Sequence, residues 1–527
     1  MSTREVINVD LADVFDAPAK GEFLRTLAWG DAVEVLKTTE NHVEIRTVKF
    51  EAADEGFKPV PTSGFIIPPA GIKPESITIK AADDRVLKFN FVDVQQGDGS
   101  VIETPKGKVV LIDGGDNVMF ARYLAARFRG TTDPEPREID CILVTHGDAD
   151  HFLGLTKIFE SETNASKAKQ LFIHPRRVYH NGLVKRPKKV GGVTVREQDM
   201  LGANTTVKDP DSGENVTIIT GREKDLLEVP DEEMNEPFQK WKAALEAYKK
   251  RGPIEIRNLQ IGDNDAFDFL KEEGIKVEVL GPIPTKVGSV EGLKFLGNPP
   301  KGPRIGHESL DLDTERFTGK SASHTINGHS VVFRLTYGNF NFLFTGDLND
   351  ESARTLTRAH NRGELTLQAE VFKVPHHGSA DFSAAFMQAV SPVISIVSSG
   401  DESARKEFIH PRATLMGALG KYSRVEEPLV FVTELVAFFE LEGKTVPEFH
   451  KLKDGVCVIK DGLAQIDLKA KKGFFAFSRA SFGVVKIRTD GKRLLGYTNS
   501  GQADLKEAYA YQMDSAGKPI PTEVTKV

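Results

Sequence analysis

The stretch LVTHGDADHFLGL, Leu143–Leu155, carries two histidines and two aspartates within six consecutive positions, between two apolar runs. Histidine nitrogens and carboxylate oxygens are both common metal ligands in proteins. Carboxylates this close together repel each other unless a cation lies among them. The stretch therefore predicts a metal site.

The position of this stretch in a predicted sheet supports the same interpretation. Residues 139–145 form an apolar run typical of a buried strand, so His146 begins the loop at the carboxyl end of that strand. Open α/β sheets bind ligands at this end of their strands. His146 and Asp148 can turn toward one ion, whereas Asp150 and His151 lie where the next helix would start and can face a second. One short loop can thus supply ligands to two ions.

Further candidate residues follow apolar runs elsewhere in the chain. Asp113 ends the run VVLID and is expected to orient a liganding histidine by hydrogen bonding to it. Asp347 ends FNFLFTGD, His376 and His377 end VFKVPHH, and His410 lies in FIHPRATL after the run ISIVSSG. If the fold gathers these strand ends on one edge, their side chains surround the metal site.

Composition places the chain among ordinary globular proteins, with 39% hydrophobic and 28% charged residues in 527. The beginning, MSTREVINVDLADVF, lacks the apolar segment of a signal peptide, and no run is long enough to span a bilayer. We therefore expect a cytoplasmic protein without a membrane partner. Cys141 and Cys457 are too few for a disulfide framework or a thiolate zinc site and are expected to be small buried residues.

The chain divides into regions with different sequence patterns. Residues 1–80 hold short alternating runs that predict a small β-barrel, and LAWGDAVEVLKTTENHVEIRT resembles a bacterial SH3-like domain that could recruit a protein partner. Residues 85–500 alternate strands with helical stretches, which indicates an α/β domain. Segments at about 160–275 and 284–322 interrupt it as insertions, and residues 501–527 are expected to form a C-terminal tail.

A series of spaced motifs resembles one known family. VDVQQGDG, LIDGG, THGDADHFLGL, SVVFRLTYGNFNFLFTGD, KVPHHGS, IHPRATL and VVKIRTDGKRLL occur in the order typical of metallo-β-lactamase-fold hydrolases. More narrowly, they resemble the soluble hydrolase domain of ComEC-type competence proteins. The resemblance implies an αββα sandwich whose strand ends carry a two-metal site. It does not imply membrane transport, because the apolar channel segments of competence proteins are absent from this sequence.

The resemblance also implies a set of ligands for two divalent ions, zinc or manganese. Asp148 replaces the usual second histidine of the family motif, which makes the site richer in oxygen and brings manganese into consideration. The histidine that usually completes the first site has no match here. The corresponding region holds Asn327 and Ser330, expected to support the ligands, with His324 and His329 as nearby substitutes. The implied ligands are His146, Asp148, Asp150, His151, Asp347 and His410.

These features predict a metal-dependent hydrolase that uses a hydroxide activated by two ions. An aspartate at 347, where β-lactam-cleaving enzymes often have cysteine, is similar to phosphodiester-cleaving members, so we expect a phosphodiester such as DNA, RNA or a nucleotide. Asp150, His376 and His377 are the candidate catalytic residues, and each histidine could be a ligand or the general acid. Two alternatives stay open: an ester, lactone or amide hydrolase, and a metal-binding regulatory or scaffold protein with a degenerate site.

A basic run, RRVYHNGLVKRPKK, occupies residues 176–189. Such a run can follow a nucleic-acid backbone, although a solvated face of an insertion would have the same composition. The overall net charge of −7 does not by itself indicate a polyanionic partner. The candidate nucleic-acid contacts are Arg176, Arg177, Lys185, Arg186, Lys188 and Lys189.

Overall fold

The structure is a computed structural model. It describes residues 3–19, 21–53, 56–210, 212–297, 319–400, 410–434, 447–448, 459–460, 463–464, 467–470, 484–499 and 506–527. Cys141 is buried as expected, whereas the expectation for Cys457 lies outside the described residues. No described helix combines the length and the apolarity needed to cross a bilayer.

The first part of the chain forms one antiparallel sheet with its own core, which includes Ile7, Val14, Val43 and Ile45. Its order is β3-β2-β6-β5-β4-β1-β7, and in the described residues the edge strands β3 and β7 do not pair with each other. The sheet is therefore open, and the expected SH3-like barrel is not confirmed. The strands are β1 (Thr3–Ile7), β2 (Leu11–Phe15), β3 (Phe23–Ala28), β4 (Ala32–Thr38), β5 (Val43–Ala53), β6 (Gly56–Ile66) and β7 (Thr78–Lys80).

The rest of the chain is a mixed α/β structure, which confirms the expected class. Its strands are β8 (Leu87–Phe91), β9 (Gly99–Glu103), β10 (Val109–Asp113), β11 (Arg137–Ile139), β12 (Cys141–Leu143), β13 (Ile173–Pro175), β14 (Arg177–His180), β15 (Lys189–Val190), β16 (Val193–Thr194), β17 (Asn204–Lys208), β18 (Asn215–Ile219), β19 (Glu255–Asn258), β20 (Ile275–Gly281), β21 (Thr285–Val287), β22 (Val290–Lys294), β23 (Val332–Tyr337), β24 (Phe340–Phe344), β25 (Val371–Lys373), β26 (Ile394–Val397), β27 (Leu429–Val432), β28 (Pro447–Glu448), β29 (Ile459–Lys460), β30 (Leu463–Ala464), β31 (Asp467–Ala470), β32 (Val485–Thr489), β33 (Arg493–Asn499), β34 (Lys506–Met513) and β35 (Pro519–Thr522). Its helices are α1 (Met119–Arg127), α2 (Ala149–Ser161), α3 (Glu236–Lys249), α4 (Ala322–Gly328), α5 (Asp350–Asn361), α6 (Ala384–Val390) and α7 (Ala413–Tyr422).

Two sheets face each other at the centre of this structure. Among the described strands, one sheet has the order β19-β14-β12-β10-β9-β8-β32-β33-β34-β35 and the other β20-β23-β24-β25-β26-β27. Alternate residues of a strand point to opposite faces. In β10, Val110 and Ile112 accordingly join the core between the sheets, while Val109 and Leu111 face a helix layer. Stacked rings such as Phe89 and Phe342, 4.1 Å apart at their centroids, fill the central core.

Helices cover both outer faces, so the layer order is helices, sheet, sheet, helices. Helices α1, α2 and α3 pack on the first sheet through residues that include Leu124, Leu155 and Trp241. Helices α5, α6 and α7 pack on the second sheet through residues that include Leu356 and Phe386. Such layers bury the apolar face of every element, and the amphipathic stripes of the helices require that burial.

The segments expected as insertions and tail take part in this architecture. Residues 160–275 contribute β14 and β19 to the first sheet and α3 to its helix layer. Both insertions together build a smaller sheet, β17-β18-β22-β21, that packs on α4 through residues such as Ile219 and Ile326. Residues 501–527 include β34 and β35, and Lys506 forms an ion pair with Asp13 of the amino-terminal sheet.

The sheet topology brings several strand ends to one edge. Strands β10 and β12 run parallel, as do β24, β25 and β26. Because parallel neighbours end on the same side, the residues that follow β12, β24 and β25 meet across the sandwich. The expected gathering of His146, Asp347 and His376 at one edge is found there, since His146 Nε2 and His376 Nε2 both lie within 4.0 Å of Asp347 Oδ2.

Candidate metal centre

The HGDADH loop connects β12 to α2. Asp148 is the residue before the first turn of the helix, and Asp150 and His151 lie in that turn. His146 and His151 are completely buried. The loop packs tightly against the chain around Gly97, where a Cβ atom would lie 1.8 Å from the carbonyl oxygen of Asp150. Glycine at 97 therefore allows the two backbones to approach each other closely.

Asp347 lies between histidines from two different strand ends. Its Oδ1 is 3.1 Å from His151 Nε2, and its Oδ2 is 3.3 Å from His377 Nε2. Asp150 Oδ2 is 3.4 Å from the same nitrogen of His377. Among the described residues, these side chains offer one ligand atom each, all within 4.8 Å of one another. We refer to Asp150, His151, Asp347 and His377 as the four-donor group.

The four-donor group fits a single divalent ion. His151 Nε2, Asp347 Oδ1 and His377 Nε2 are buried and have no hydrogen-bond partner, and each such group costs about 1–3 kcal/mol unless another interaction satisfies it. Two ligands at about 2.0–2.1 Å from one tetrahedral ion lie about 3.3 Å apart. The spacings of 3.3 and 3.4 Å from His377 Nε2 to Asp347 Oδ2 and Asp150 Oδ2 agree with that geometry. Nitrogen and oxygen donors of this kind suit zinc and manganese alike.

Asp113 orients His151, as the sequence predicted for a carboxylate behind the ligands. Asp113 Oδ2 lies 2.9 Å from His151 Nδ1 and also accepts a hydrogen bond from the Thr145 hydroxyl at 2.7 Å. An ionised carboxylate only accepts hydrogen bonds, so Nδ1 carries the proton of a neutral ring. The lone pair of Nε2 then faces the four-donor group, which is the arrangement that a metal ligand needs.

The charges in the group shift the pKa values of its members. Burial lowers the pKa of His151 and of His377, but the Asp347 carboxylate and its acidic neighbours raise both pKa values well above the ordinary one. Burial raises the pKa of Asp347, yet His377 and His151 bring it well below its usual range. The carboxylates therefore favour positive charge in this place, and a divalent ion would provide it without ring protons.

Sequence reasoning missed two residues behind His377. Asp98 Oδ1 is 3.3 Å from His377 Nδ1, which is also 3.2 Å from the carbonyl oxygen of Ser398. Asp98 Oδ2 in turn forms a 2.7 Å ion pair with Lys373 Nζ. The signal was present in the sequence: a lysine inside the apolar run VFKV of a buried strand needs a buried partner.

The two consecutive histidines have different surroundings. His376 and His377 have φ values of 49° and 52°, in the left-handed region that residues other than glycine rarely adopt. Such strain costs about 1–3 kcal/mol per residue and occurs preferentially at functional sites. The turn directs His377 into the four-donor group. His376 keeps 23% of its side chain exposed, with Nε2 3.8 Å from Asp347 Oδ2.

His410 lies next to the four-donor group but is not a member of it. Its ring centroid is 6.0 Å from that of His376 and 6.5 Å from that of His377. Burial, together with the nearby histidines, lowers the pKa of His410 to about 3. The ring is therefore neutral and able to bind a metal, and its role as a ligand stays a prediction.

Asp148, expected as a ligand of a first ion, has partners in the chain for both carboxylate oxygens. Oδ1 lies 2.7 Å from Lys185 Nζ. Oδ2 lies 3.0 Å from the amide nitrogen of Asn327 in the orientation that its neighbours favour. Burial raises the pKa of Asp148, whereas Lys185 lowers it, and the balance lies above the ordinary value. Asp148 thus faces Lys185 and Asn327, outside the four-donor group.

His146 and Ser330 lie on the other side of Asp347. His146 Nδ1 is 3.2 Å from the Thr145 hydroxyl and 3.3 Å from the Ser330 hydroxyl, so Nε2 points toward Asp347 Oδ2 at 4.0 Å. The Ser330 hydroxyl accepts a hydrogen bond from the backbone N–H of Asp347 at 3.0 Å and donates one to the carbonyl oxygen of Asn327 at 2.7 Å. Ser330 thus contacts His146, Asp347 and Asn327, and the supporting role of Ser330 and Asn327 stays a prediction.

The substitutes considered for a first metal ligand lie outside the centre. His329 Nε2 is 2.7 Å from the carbonyl oxygen of Lys294, and burial lowers the pKa of His329 to about 4. His324 Nδ1 is 3.5 Å from Asp381 Oδ2. Neither histidine belongs to the four-donor group.

The basic run is divided between the two ends of β14. At the amino end, remote from the centre, Arg176 pairs with Glu138 at 2.5 Å and Arg177 lies 3.5 Å from Glu255. The residues past the carboxyl end adjoin the centre through Lys185. They line a cavity of about 450 Å³ together with residues of the α3 amino terminus. Its basic residues are Lys185, Arg186 and Lys188, while Lys189 is exposed in β15.

Comparison with known proteins identifies part of this structure. Residues 92–205 match the family model described as the metallo-beta-lactamase superfamily. No curated protein matches the chain, so no relative tests the similarity to ComEC-type proteins. The matched segment contains Asp113 and the HGDADH loop and ends before the strands that bring Asp347 and His377. Together with the cluster of histidines and aspartates, the match suggests a metal-dependent hydrolase. Residues 92–205 form a metallo-beta-lactamase superfamily domain.

Proposed function

We propose that the protein is a metal-dependent phosphodiesterase, with nucleic acids as its favoured substrates. The observation that carries the proposal is the cavity lined by Lys185, Arg186 and Lys188, which is connected to the HGDADH loop by the ion pair between Lys185 and Asp148. Cationic side chains around a cavity favour an anionic substrate and raise its local concentration. A neutral ester, lactone or amide would gain nothing from them.

The chemistry of the centre supports the same substrate class. A divalent ion held by the four-donor group would lower the pKa of a water molecule and polarise a phosphoryl oxygen. Asp113 and Asp98 keep His151 and His377 oriented toward that ion. His376 is partly exposed beside Asp347, and we assign to it the transfer of a proton to the leaving oxygen.

The ComEC-type resemblance implies a second ion, with His146, Asp148 and His410 as further ligands. Zinc and manganese are the candidate ions. A polynucleotide would extend from the centre along the cavity, with Lys188 and the remaining donors of Lys185 and Arg186 toward its phosphates. Arg186 also pairs with Glu233 at 2.5 Å, and Glu236 belongs to the lining.

A substrate panel tests the proposal. Chelator-treated protein is reloaded with zinc or manganese and assayed on bis(p-nitrophenyl) phosphate, single-stranded DNA, RNA and p-nitrophenyl acetate, with Asp347→Asn as the matched control. We expect phosphodiester hydrolysis that needs both the metal and Asp347. Hydrolysis of the acetate ester alone would favour the esterase alternative, and bound metal without any hydrolysis would favour the regulatory one.

A further inference from the structure

Asp148 forms an ion pair with a lysine at the place where a first metal ion was expected. The Lys185 ammonium lies 2.7 Å from Asp148 Oδ1, and the Asn327 amide satisfies Oδ2 at 3.0 Å. The charge of this carboxylate is therefore already balanced by the chain. Both carboxylate oxygens of Asp148 thus have partners in the chain, and a metal ion would compete with the Lys185 ammonium for this carboxylate.

On this side of Asp347 the described donors do not form a group of three that includes His146 or Asp148. His146 Nε2 lies 4.0 Å and His376 Nε2 lies 3.8 Å from Asp347 Oδ2. The histidine that usually completes this site in the resembled family has no match in the sequence, and the corresponding region holds Asn327 and Ser330. Zinc sites in proteins use three or four protein ligands. In the described residues, two clusters near the HGDADH loop offer three or more donors: the four-donor group, and Asp98, Asp113 and His151. Neither cluster includes His146 or Asp148. The position beside His146 and Asp148 thus does not fit a resident metal ion.

Lys185 is held in position by several contacts. Its Nζ is 3.1 Å from the Ser323 hydroxyl, and only 17% of its side chain is exposed. Its backbone oxygen accepts a hydrogen bond from Asn235 N at 2.9 Å. Upstream, Asn181 binds the carbonyl oxygen of His329 at 3.0 Å and fixes the path of the loop. An ammonium group has three donors, and Asp148 and Ser323 account for two of them.

We propose that the centre holds one divalent ion and that the Lys185 ammonium takes the place of the second cation. Its third N–H contacts an anionic oxygen of the substrate at the entrance of the cavity that Lys185 also lines. The choice of a phosphodiester as that substrate rests on the proposed function. The inferences of a single metal ion and of an anion contact rest on the ion pair between Lys185 and Asp148 and on the number of metal donors near it.

Lys185 and a metal ion would serve the same electrostatic purpose by different means. Two ions share the charge that develops on phosphoryl oxygens in dinuclear centres. A lysine supplies a fixed positive charge that does not depend on metal supply and that donates a hydrogen bond as well. The pairing with Asp148 keeps the ammonium group at the edge of the centre while leaving one donor for the ligand.

The test has two measurements, and neither needs turnover. Chelator-treated protein is titrated with zinc and with manganese, and bound metal is counted after desalting. The metal-loaded protein is then titrated with inorganic phosphate as the anionic probe. The variants are Asp148→Asn and the double variant Lys185→Met/Asp148→Asn, which removes the pair without leaving an isolated buried carboxylate. Lys242→Met/Asp231→Asn is the matched control, because Lys242 has similar exposure, 14%, and a similar ion pair of 2.8 Å outside the centre.

We expect one ion per chain in the wild type and in Asp148→Asn. Phosphate affinity should be about 10–100-fold weaker in the Lys185 double variant than in Asp148→Asn, since a hydrogen bond to a charged group contributes about that factor. The control pair should match the wild type in both measurements. Two bound ions per chain in the wild type and one in Asp148→Asn would overturn the proposal. Equal phosphate affinities in Asp148→Asn and in the Lys185 double variant would also overturn it. A wild type that binds one ion and phosphate as expected yet cleaves no phosphodiester would refute the proposed function alone.

Discussion

The Lys373 ammonium and the Asp98 carboxylate form a 2.7 Å ion pair directly behind the metal centre, with 2% and 5% of their side chains exposed. Asp98 also contacts His377, so the pair connects the buried strand β25 to the ring that faces the metal. Removing one partner of a buried pair leaves an uncompensated charge in a poorly solvated place.

Lys373→Met should therefore destabilise the fold strongly. We expect the free energy of unfolding to fall by about 3–5 kcal/mol, because Asp98 would stay buried without its partner. Urea unfolding followed by fluorescence measures the change. The double variant Lys373→Met/Asp98→Asn should recover most of the loss. A single variant as stable as the wild type would show that Asp98 finds another partner or becomes protonated.

The second prediction concerns the carboxylate that orients His151. Asp113→Asn removes the acceptor that fixes the Nδ1 proton, and loss of such a partner costs about 10–100-fold in metal affinity. Titration of chelator-treated protein with zinc measures that affinity. Asp265→Asn, a substitution at an exposed aspartate outside the centre, should leave the zinc affinity unchanged. Equal zinc affinities in Asp113→Asn and Asp265→Asn would show that Asp113 does not support zinc binding.

The third prediction separates the two halves of the basic run. Arg186→Gln/Lys188→Gln should weaken binding of single-stranded DNA and reduce its salt slope by about 0.7 per lost phosphate contact. Arg176→Gln/Arg177→Gln, at the remote end of β14, should change neither quantity. Hydrolysis of bis(p-nitrophenyl) phosphate should be the same in both, since that substrate does not reach along the cavity. If all four substitutions leave the slope unchanged, the cavity does not bind a polynucleotide.

The fourth prediction is a pH dependence of stability from a buried histidine. Burial lowers the pKa of His180 to about 4, and its neutral ring accepts a hydrogen bond from Gly182 N at 3.0 Å. A folded pKa below the unfolded one means that stability is present above about pH 6.5 and is lost as the pH falls toward 4. About 1.4 kcal/mol per pKa unit gives a loss of roughly 3 kcal/mol. His180→Asn should lack this part of the slope in urea unfolding, and an unchanged slope in the variant would contradict the assignment.

Local patterns in the sequence predicted much of the centre. His146, Asp150 and His151 follow an apolar run, and Asp347 ends another, so their meeting at a strand-end edge could be inferred from the α/β pattern alone. The supporting position of Asp113 followed from the same reasoning. These inferences succeed because parallel strands have a fixed polarity, and the order of residues along each strand then fixes which ones meet.

Contacts between residues far apart in the sequence could not be predicted in this way. Lys185 appeared to belong to a basic run, yet the loop after β14 turns it toward Asp148, whereas Arg176 stays at the opposite end of the strand. Which of His376 and His377 faces the four-donor group depends on two consecutive residues with left-handed backbone conformation. No local sequence pattern predicts that conformation. The closed barrel expected of residues 1–80 is not confirmed, because alternating runs predict strands but not whether the edge strands β3 and β7 pair.

We expect the four-donor group to bind the metal ion. The most direct test counts zinc and manganese by elemental analysis in reloaded, desalted protein, for the wild type, Asp347→Asn and the surface control Asp265→Asn. We expect bound metal in the wild type and in the control. Asp347→Asn should lose that metal while its thermal unfolding stays cooperative. No retained metal in the wild type, or equal metal in Asp347→Asn and the wild type, would contradict it.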